Sequence, residues 1–384
     1  MTETADVVVV GGGIVGASAA YHLAAAGAGR VLLLEREPRL ATGSTGACAG
    51  GFRLQFSSEV NIRLSLASVP MITGFTEEHG LPLDVAQDGY LFLLRRPEDV
   101  AAFAAAASLQ RGLGVPVEEL DGDAAAALVP GVAREGLVGA TYCPLDGIAD
   151  PSGLTEGYAA IARRAGAEIR TGVDVTAIRV GEGRVLGVET TRGPIAAPLV
   201  VDAAGPWAGT LAASAGVRLP LEPVPRNVVV TSGFPGVPER RTLVIDAATS
   251  FYFHREGPGV LMGMGDPGER PSFDCTPDAA FIEGPLLETA LRVFPPIERA
   301  GIARTWAGLY EMTPDRHPII GPAPGVAGLL LANGFSGHGF QHAPVVGRLL
   351  AELVVDGRAT TVDITALSAE RFASGDVVVE GHVV

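Results

Sequence analysis

Residues 7–20 read VVVVGGGIVGASAA, and the fold turns on the change of character at Gly11. Four consecutive valines suit a strand buried on both faces, because β-branched side chains favour a pleated backbone and neither face is kept polar. Gly11, Gly13 and Gly16 then form G-x-G-x-x-G, and the alanine-rich residues that follow to Ala26 have helical character. Gly11 permits a tight turn, Gly13 lets a diphosphate approach the backbone, and Gly16 lets helix and strand pack closely. The helix start at Ile14 and Val15 presents free N–H groups to that diphosphate. Arg30 to Leu34 is a second apolar run, closed by Glu35 about 20 residues beyond the glycines, where a carboxylate accepts ribose hydroxyls. Strand, turn, helix and strand make the opening unit of a parallel, dinucleotide-binding sheet.

Composition narrows the function further. The 384 residues are 47% hydrophobic, enough for a large core and two domains, and the net charge of −15 argues against a nucleic-acid partner. All 28 basic residues are arginine, which removes Schiff-base and P-loop lysine chemistry. Cys48, Cys143 and Cys275 are odd in number, widely spaced and without a CxxC, as expected in a reducing cytoplasm. The N-terminus lacks a basic n-region, and no apolar run reaches the ~18 residues of a membrane span.

Further along, GYLFLLRR (89–96) reads as a strand, and residues 98–112 and 121–128 read as surface helices. Asp150 and Pro151 open another helix as N-cap and first residue. A hairpin and the buried run 199–203 follow, and residues 216–305 suggest an antiparallel sheet. GLLLANG (328–334) is one more buried strand, and a last helix is expected from Pro344 to Asp356.

Two features ask for chemistry beyond the glycine turn. TGSTGACAGG (42–51) follows Glu35 closely and could run along a long diphosphate towards a flavin ring, which an NAD enzyme would not need. NGFSGHGFQHAP (333–344) admits three readings: a metal pair from His338 and His342, a hydrolase elbow at Ser336, or a glycine loop against a flat ligand. The elbow lacks the final glycine of G-x-S-x-G, and a zinc site would need a further ligand with no HExxH present, so no metal is expected.

Together the stretches GGGIVGASAAYHLA, LLERE, STGACAGGFRLQF, VVDAAGPWA, WAGLYEMTPDRHPIIG and GFSGHGFQHAP, in that order over nearly the whole chain, resemble the D-amino-acid-oxidase-like flavoprotein family. Within it the chain looks most like the branch of sarcosine oxidase β-subunits, dimethylglycine dehydrogenases and proline dehydrogenase β-subunits. The resemblance implies an α/β fold in which an FAD-binding Rossmann-like domain (1–80, 145–215 and 306–384) interleaves with a second, mostly antiparallel domain (81–144 and 216–305). It implies that Glu35 and Arg36 hold the adenosine ribose, Ser44 and Thr45 the pyrophosphate, and Gly50 and Gly51 the flavin edge. Val175 would meet adenine through its backbone, and Ala204 and Gly205 would close over the cofactor. Gly337, His338, Gly339, Phe340 and Gln341 would cradle the flavin from a helix N-terminus.

Departures from the family carry information too. Monomeric sarcosine oxidases attach flavin through a cysteine where this chain has Gly308, and dimethylglycine dehydrogenases through a histidine near Ala47, so non-covalent FAD is expected. The lysine that promotes oxygen reactivity in the monomeric oxidases is absent, and Gln341 replaces another active-site lysine, which leans towards an acceptor other than oxygen. The expected reaction is oxidation of a secondary amine or amino acid, with an electron acceptor or redox partner subunit downstream. Glycine oxidase and a relay-only subunit are the rival readings, and Tyr310 where glycine oxidases have an anchoring arginine argues against the first. Arg53 is the expected carboxylate anchor. Tyr252, His254 and Tyr310 are candidate pocket residues, and His338 and His254 the candidate groups titrating near pH 7.

Overall fold

The computed structural model describes residues 3–375 and 377–382. The four valines lie inside a six-stranded sheet whose order is Glu168–Arg170, Val31–Leu34, Val7–Val10, Leu199–Asp202, Leu329–Asn333 and Ile319–Pro322. The first five strands run parallel, and the last closes the edge antiparallel. Alternate valines serve different cores. Val7 and Val9 pack with helices Ile14–Ala25, Pro151–Arg164 and Gly339–Val355, while Val8 and Val10 pack with the hairpin strands Val175–Gly181 and Arg184–Thr190. A strand covered on both faces has no solvent side to keep polar, which is why its sequence does not alternate.

An eight-stranded sheet forms the second body, in the order Ile302–Met312, Glu222–Thr231, Gly259–Gly263, Phe251–Glu256, Leu243–Asp246, Tyr90–Leu94, Gly139–Cys143 and Glu118–Leu120. It is antiparallel except where Leu243–Asp246 pairs parallel with Tyr90–Leu94. Residue 306, expected to open the last part of the FAD-binding domain, lies within Ile302–Met312, which is bonded along its length to Glu222–Thr231. The helix at Pro151 is capped as expected, Ser152 N donating to the Asp150 carboxylate at 3.0 Å.

One boundary is corrected. The last helix begins at Gly339, not Pro344, and Pro344 lies inside it. A proline removes a helical N–H, and here the neighbouring backbone groups find outside partners. Ser18 Oγ donates to the Pro344 carbonyl, and Val345 N donates to Ser68 Oγ. Hydroxyls from two other helices thereby tie down the turn that holds the proline. Among the described residues no helix is long and apolar enough to cross a membrane.

The turn between the two sheets is held by a buried ion pair. Asp315 accepts from Arg371 Nε at 2.6 Å and from Nη2 at 3.1 Å, both side chains at most 4% exposed, and Arg371 also donates to the carbonyls of Leu367, Ser368 and His317. Removing one partner of such a pair strands the other charge, at a cost of about 3–5 kcal/mol. Arg371→Leu is therefore expected to lower the unfolding free energy by that much, measured by chemical unfolding; a loss below about 1 kcal/mol would contradict the assignment.

Candidate active site

A cavity of about 900 Å³ runs from the carboxyl ends of the parallel strands to the face of the eight-stranded sheet. That lies at the upper end of the ~300–1,000 Å³ usual for ligand pockets. Its first wall is the glycine turn. Gly11 has φ +107°, and a Cβ there would stand 2.4 Å from the Ala203 carbonyl oxygen, while one at Gly16 would stand 1.9 Å from that of Gly11. Only glycine fits either place, and Gly16 packs there without lining the cavity. The helix Ile14–Ala25 has no side-chain cap at Gly13, and Ile14 N donates to Thr45 Oγ1 at 3.2 Å. Glu35 accepts from Gly12 N at 2.6 Å and Glu37 N at 2.8 Å, so two backbone amides fix the carboxylate at the strand end.

Along this wall the cavity meets Gly11, Gly13, Ile14, Val15, Glu35 and Arg36, with Val175 beyond. Ser44, Thr45 and Gly51 line it from the early loop, and Ala204 and Gly205 from the opposite side. Ser44 Oγ donates to the Leu309 carbonyl, tying that loop to the second sheet. Gly50 does not line the cavity: its φ is +79° and it faces the Ala149 carbonyl. At the far end stand Gly337 to Gln341, at a helix start that again has no side-chain cap.

Nearby, Asp202 Oδ2, Asn333 Oδ1 and Glu311 Oε2 are buried without a partner among the described residues. Asp202 and Asn333 stand at the carboxyl ends of neighbouring strands in the six-stranded sheet, and Glu311, on the eight-stranded sheet, lines the cavity. Burial pushes Asp202 up to about 8, with Glu311 adding to it, and Glu311 up to about 7. A helix end without an N-cap side chain and a glycine cradle together suit a ligand carrying a diphosphate, as FAD does.

Several sequence expectations change here. Arg53 is 4% exposed, and its terminal nitrogens are committed: Nη1 donates to the Gln55 carbonyl, and Nη2 to the His382 carbonyl and, at 3.3 Å, to His338 Nε2. It lines the cavity with three of its five N–H donors already engaged, two of them by backbone carbonyls. His338 is held well below its ordinary range by burial, with Arg53 and His342 adding to it, so it does not titrate near pH 7. Because a guanidinium only donates, His338 Nε2 accepts and its proton sits on Nδ1, which has no partner among the described residues. Gln341 accepts from Arg53 N at 2.8 Å. His254 shares a strand with Tyr252 but lies outside the cavity, its Nδ1 and Nε2 at 2.8 and 3.1 Å from the carbonyls of Arg255 and Ala49. It is a bridge between strand and loop, not a base. Ser336 is fully buried and accepts from Thr313 N, which leaves no poised nucleophile.

Tyr252 and Tyr310 do line the cavity, joined by Tyr90 and Arg226, which sequence reasoning missed. The hydroxyls of the three tyrosines make no hydrogen bond to another described residue, and burial raises all three, so they remain neutral donors. Tyr90 stands on GYLFLLRR, where alternation could have marked one face; nothing local marked Arg226.

A parallel sheet with a glycine turn at its carboxyl edge, facing a second sheet across one long cavity, defines a dinucleotide-binding oxidoreductase. The chain belongs to the FAD-dependent oxidoreductase family, whose sequence model, described as DAO: FAD dependent oxidoreductase, matches residues 6–353. It is 32% identical to the mitochondrial sarcosine dehydrogenase of Homo sapiens over 93% of this chain and 40% of that protein, so it spans about two-fifths of that relative. It is 32% identical to the glycine oxidase of Geobacillus kaustophilus, covering 97% of this chain and 98% of the relative. The crystal structure of L-proline dehydrogenase from P. horikoshii superposes with a TM-score of 0.91 at 33% identity, covering 98% of this chain and 99% of that one.

The raised carboxyls set a pH dependence. A carboxyl whose folded pKa exceeds its unfolded value contributes stability that is complete below the unfolded value and is lost as pH rises through the folded one. For Asp202 that window runs from 3.8 to about 8, and for Glu311 from 4.5 to about 7. Asp202→Asn is expected to remove the Asp202 contribution, so that across this window the apparent Tm of the variant falls less, or rises more, with pH than that of wild type in thermal melts; equal slopes for both proteins would contradict it.

Proposed function

We propose that the chain holds FAD without a covalent bond and oxidises a secondary amine or amino acid, passing the electrons to an acceptor or partner subunit other than oxygen. The observation that carries this reading is the chamber at the far end of the cavity, where Tyr90, Tyr252 and Tyr310 are neutral donors and His338 is a neutral imidazole. FAD, when bound, supplies the hydride acceptor that turns the amine's Cα–H and N lone pair into a C=N bond, which water then hydrolyses.

The protein's part is to bind, orient and neutralise. Glu35 and Arg36 would hold the ribose, the amides of Gly13 and Val15 with Thr45 the diphosphate, and Ala47 to Ala49, Gly51 and the loop 337–341 the ring. His338 Nδ1–H and the uncapped helix start at Gly339 would offer donors and positive potential to the ring's electron-rich edge. Deprotonating the amine needs no strong base if it binds neutral, and the chamber accordingly has its histidine and tyrosines fixed in their neutral forms.

Three further points support the finer details. Ala47 and Gly308 touch, a Cβ on Gly308 lying 2.5 Å from Ala47 Cβ, so both positions that attach flavin in resembling enzymes are without a reactive atom. Burial raises Cys48 to about 11, which keeps it a thiol. All three cysteines are unpaired, in keeping with a reducing compartment such as the cytoplasm.

Anaerobic mixing of the holoenzyme with sarcosine, proline, pipecolate and other N-methyl amino acids is expected to bleach the flavin absorbance with at least one of them; no bleaching would sink the catalytic reading and leave a relay subunit. Re-exposure to air is expected to restore the colour slowly compared with a quinone or dye acceptor. Glu35→Ala should weaken FAD binding to the apoprotein about 10-fold or more, the worth of a charge-assisted hydrogen bond of about 1.5–3 kcal/mol, read by flavin fluorescence.

A further inference from the structure

Three arginines line the cavity, and two are already engaged. Arg36 stacks on Trp207 at 3.7 Å and pairs with Glu37 near the Glu35 end, and Arg53 is tied to backbone carbonyls. The third, Arg226, stands on the strand Glu222–Thr231 opposite Gly308, with its guanidinium carbon 5.1 Å from the centre of the Tyr310 ring. Its guanidinium is largely buried and forms an ion pair through Nη1 with Glu269.

Glu269 belongs to the loop GDPGERPS, residues 265–272. That loop is anchored at its ends, Gly265 N donating to Ser250 Oγ and Ser272 N to the Pro223 carbonyl. Between those anchors, the Arg226–Glu269 pair is the polar tie to the rest of the protein found among the described residues. Beyond it Phe273 stacks on Trp207 at 5.6 Å, and Cys275 and Trp207 both line the cavity. One carboxylate on one cavity arginine thus holds down the middle of a loop beside the cavity.

We propose that Arg226 is the residue that binds the carboxylate of an amino-acid substrate, and that Glu269 holds its place until substrate arrives. The inference rests on the amine-oxidising reading above. Once released by Glu269, the guanidinium can take a carboxylate through two parallel bonds, and the neighbouring hydroxyls of Tyr252 and Tyr310 are neutral donors for the same group. An incoming carboxylate exchanges with that of Glu269, so the charge on Arg226 stays paired throughout and no buried cation is left bare. Exchange also frees the loop's middle, linking substrate binding to its movement. The device selects amines that carry a carboxylate over those that do not, because only the former replace what Glu269 gives up.

The test uses the FAD-loaded protein and two carboxylates that cannot be oxidised as amines, acetate and pyrrole-2-carboxylate, read by the change in flavin absorbance. Wild type is expected to bind pyrrole-2-carboxylate, Arg226→Met to bind it about 100-fold more weakly, and Arg226→Lys to fall between, in line with two charge-assisted bonds. Glu269→Gln should bind it about 10-fold more tightly, an effect that misfolding cannot produce, and full flavin content in each variant shows that the fold is kept. No binding of either probe by wild type, or equal affinity in Arg226→Met, overturns the anchor; unchanged affinity in Glu269→Gln overturns the place-holding role. Because no turnover is required, absence of bleaching with every amine would refute the catalytic reading while leaving this result to stand or fall by itself.

Discussion

Two helices approach so closely at Gly347 and Ser18 that a Cβ on the glycine would stand 2.3 Å from the serine Oγ and 2.6 Å from its backbone. Much of the site depends on that contact. It joins Ile14–Ala25 to Gly339–Val355 side by side, and both begin at the cavity with no side-chain cap. Normally a serine or aspartate at the N-cap would close such ends; with neither present, although Thr45 takes Ile14 N, two positive dipole ends are directed into one space. The first end suits a diphosphate and the second a ring on which negative charge develops. One packing contact between small residues thereby aligns two electrostatic devices at opposite ends of a long cofactor.

The interior of the site is organised by a different constraint, the cost of burying a cation. Arg53 lies under the cavity wall with aromatic faces on it, Phe56 at 4.0 Å and Phe92 at 5.5 Å, and with carbonyls on both terminal nitrogens. One of those carbonyls belongs to His382, and the segment that delivers it is secured by Glu380. The Glu380 carboxylate takes hydrogen bonds from Ser57, Ser58 and Asn61, which hold it well below the usual carboxylate range despite burial. A lysine in place of Arg53 would shed its proton when desolvated, whereas guanidinium stays charged. Burial, with this fixed charge adding to it, keeps His338 neutral. A chain whose cations are all arginine is suited to this use of buried positive charge.

The glycine turn and Glu35 were legible because they rest on local rules: φ at Gly11, the approach at Gly16 and a strand end a fixed distance on. What was not legible lies in contacts between distant parts of the chain. Alternation correctly put Tyr252 and His254 on one strand, but not where the cavity stops, which the Ala49 carbonyl decides. Pro344 looked like a helix start because no neighbour in sequence reveals the hydroxyls of Ser18 and Ser68. Arg53 looked like a free anchor because its partners include residues 338 and 382. Arg226 had no motif at all; its meaning comes from facing Gly308 across two strands and from a loop carboxylate more than forty residues away.

Charge distribution completes the account. The chain carries a net charge of −15, which alone would repel anionic ligands, yet two open helix ends and three arginines converge on one cavity. At about 0.15 M salt, exposed surface charges are screened beyond about 8 Å, while groups inside a low-dielectric cleft are screened far less. Near the cavity, where Glu35, Glu37, Asp174 and Glu311 stand among the arginines, the placement of each charge matters more than the net sign. The acidic exterior is then free to serve solubility, and the same protein can reject polyanions at its surface while holding a compact diphosphate within.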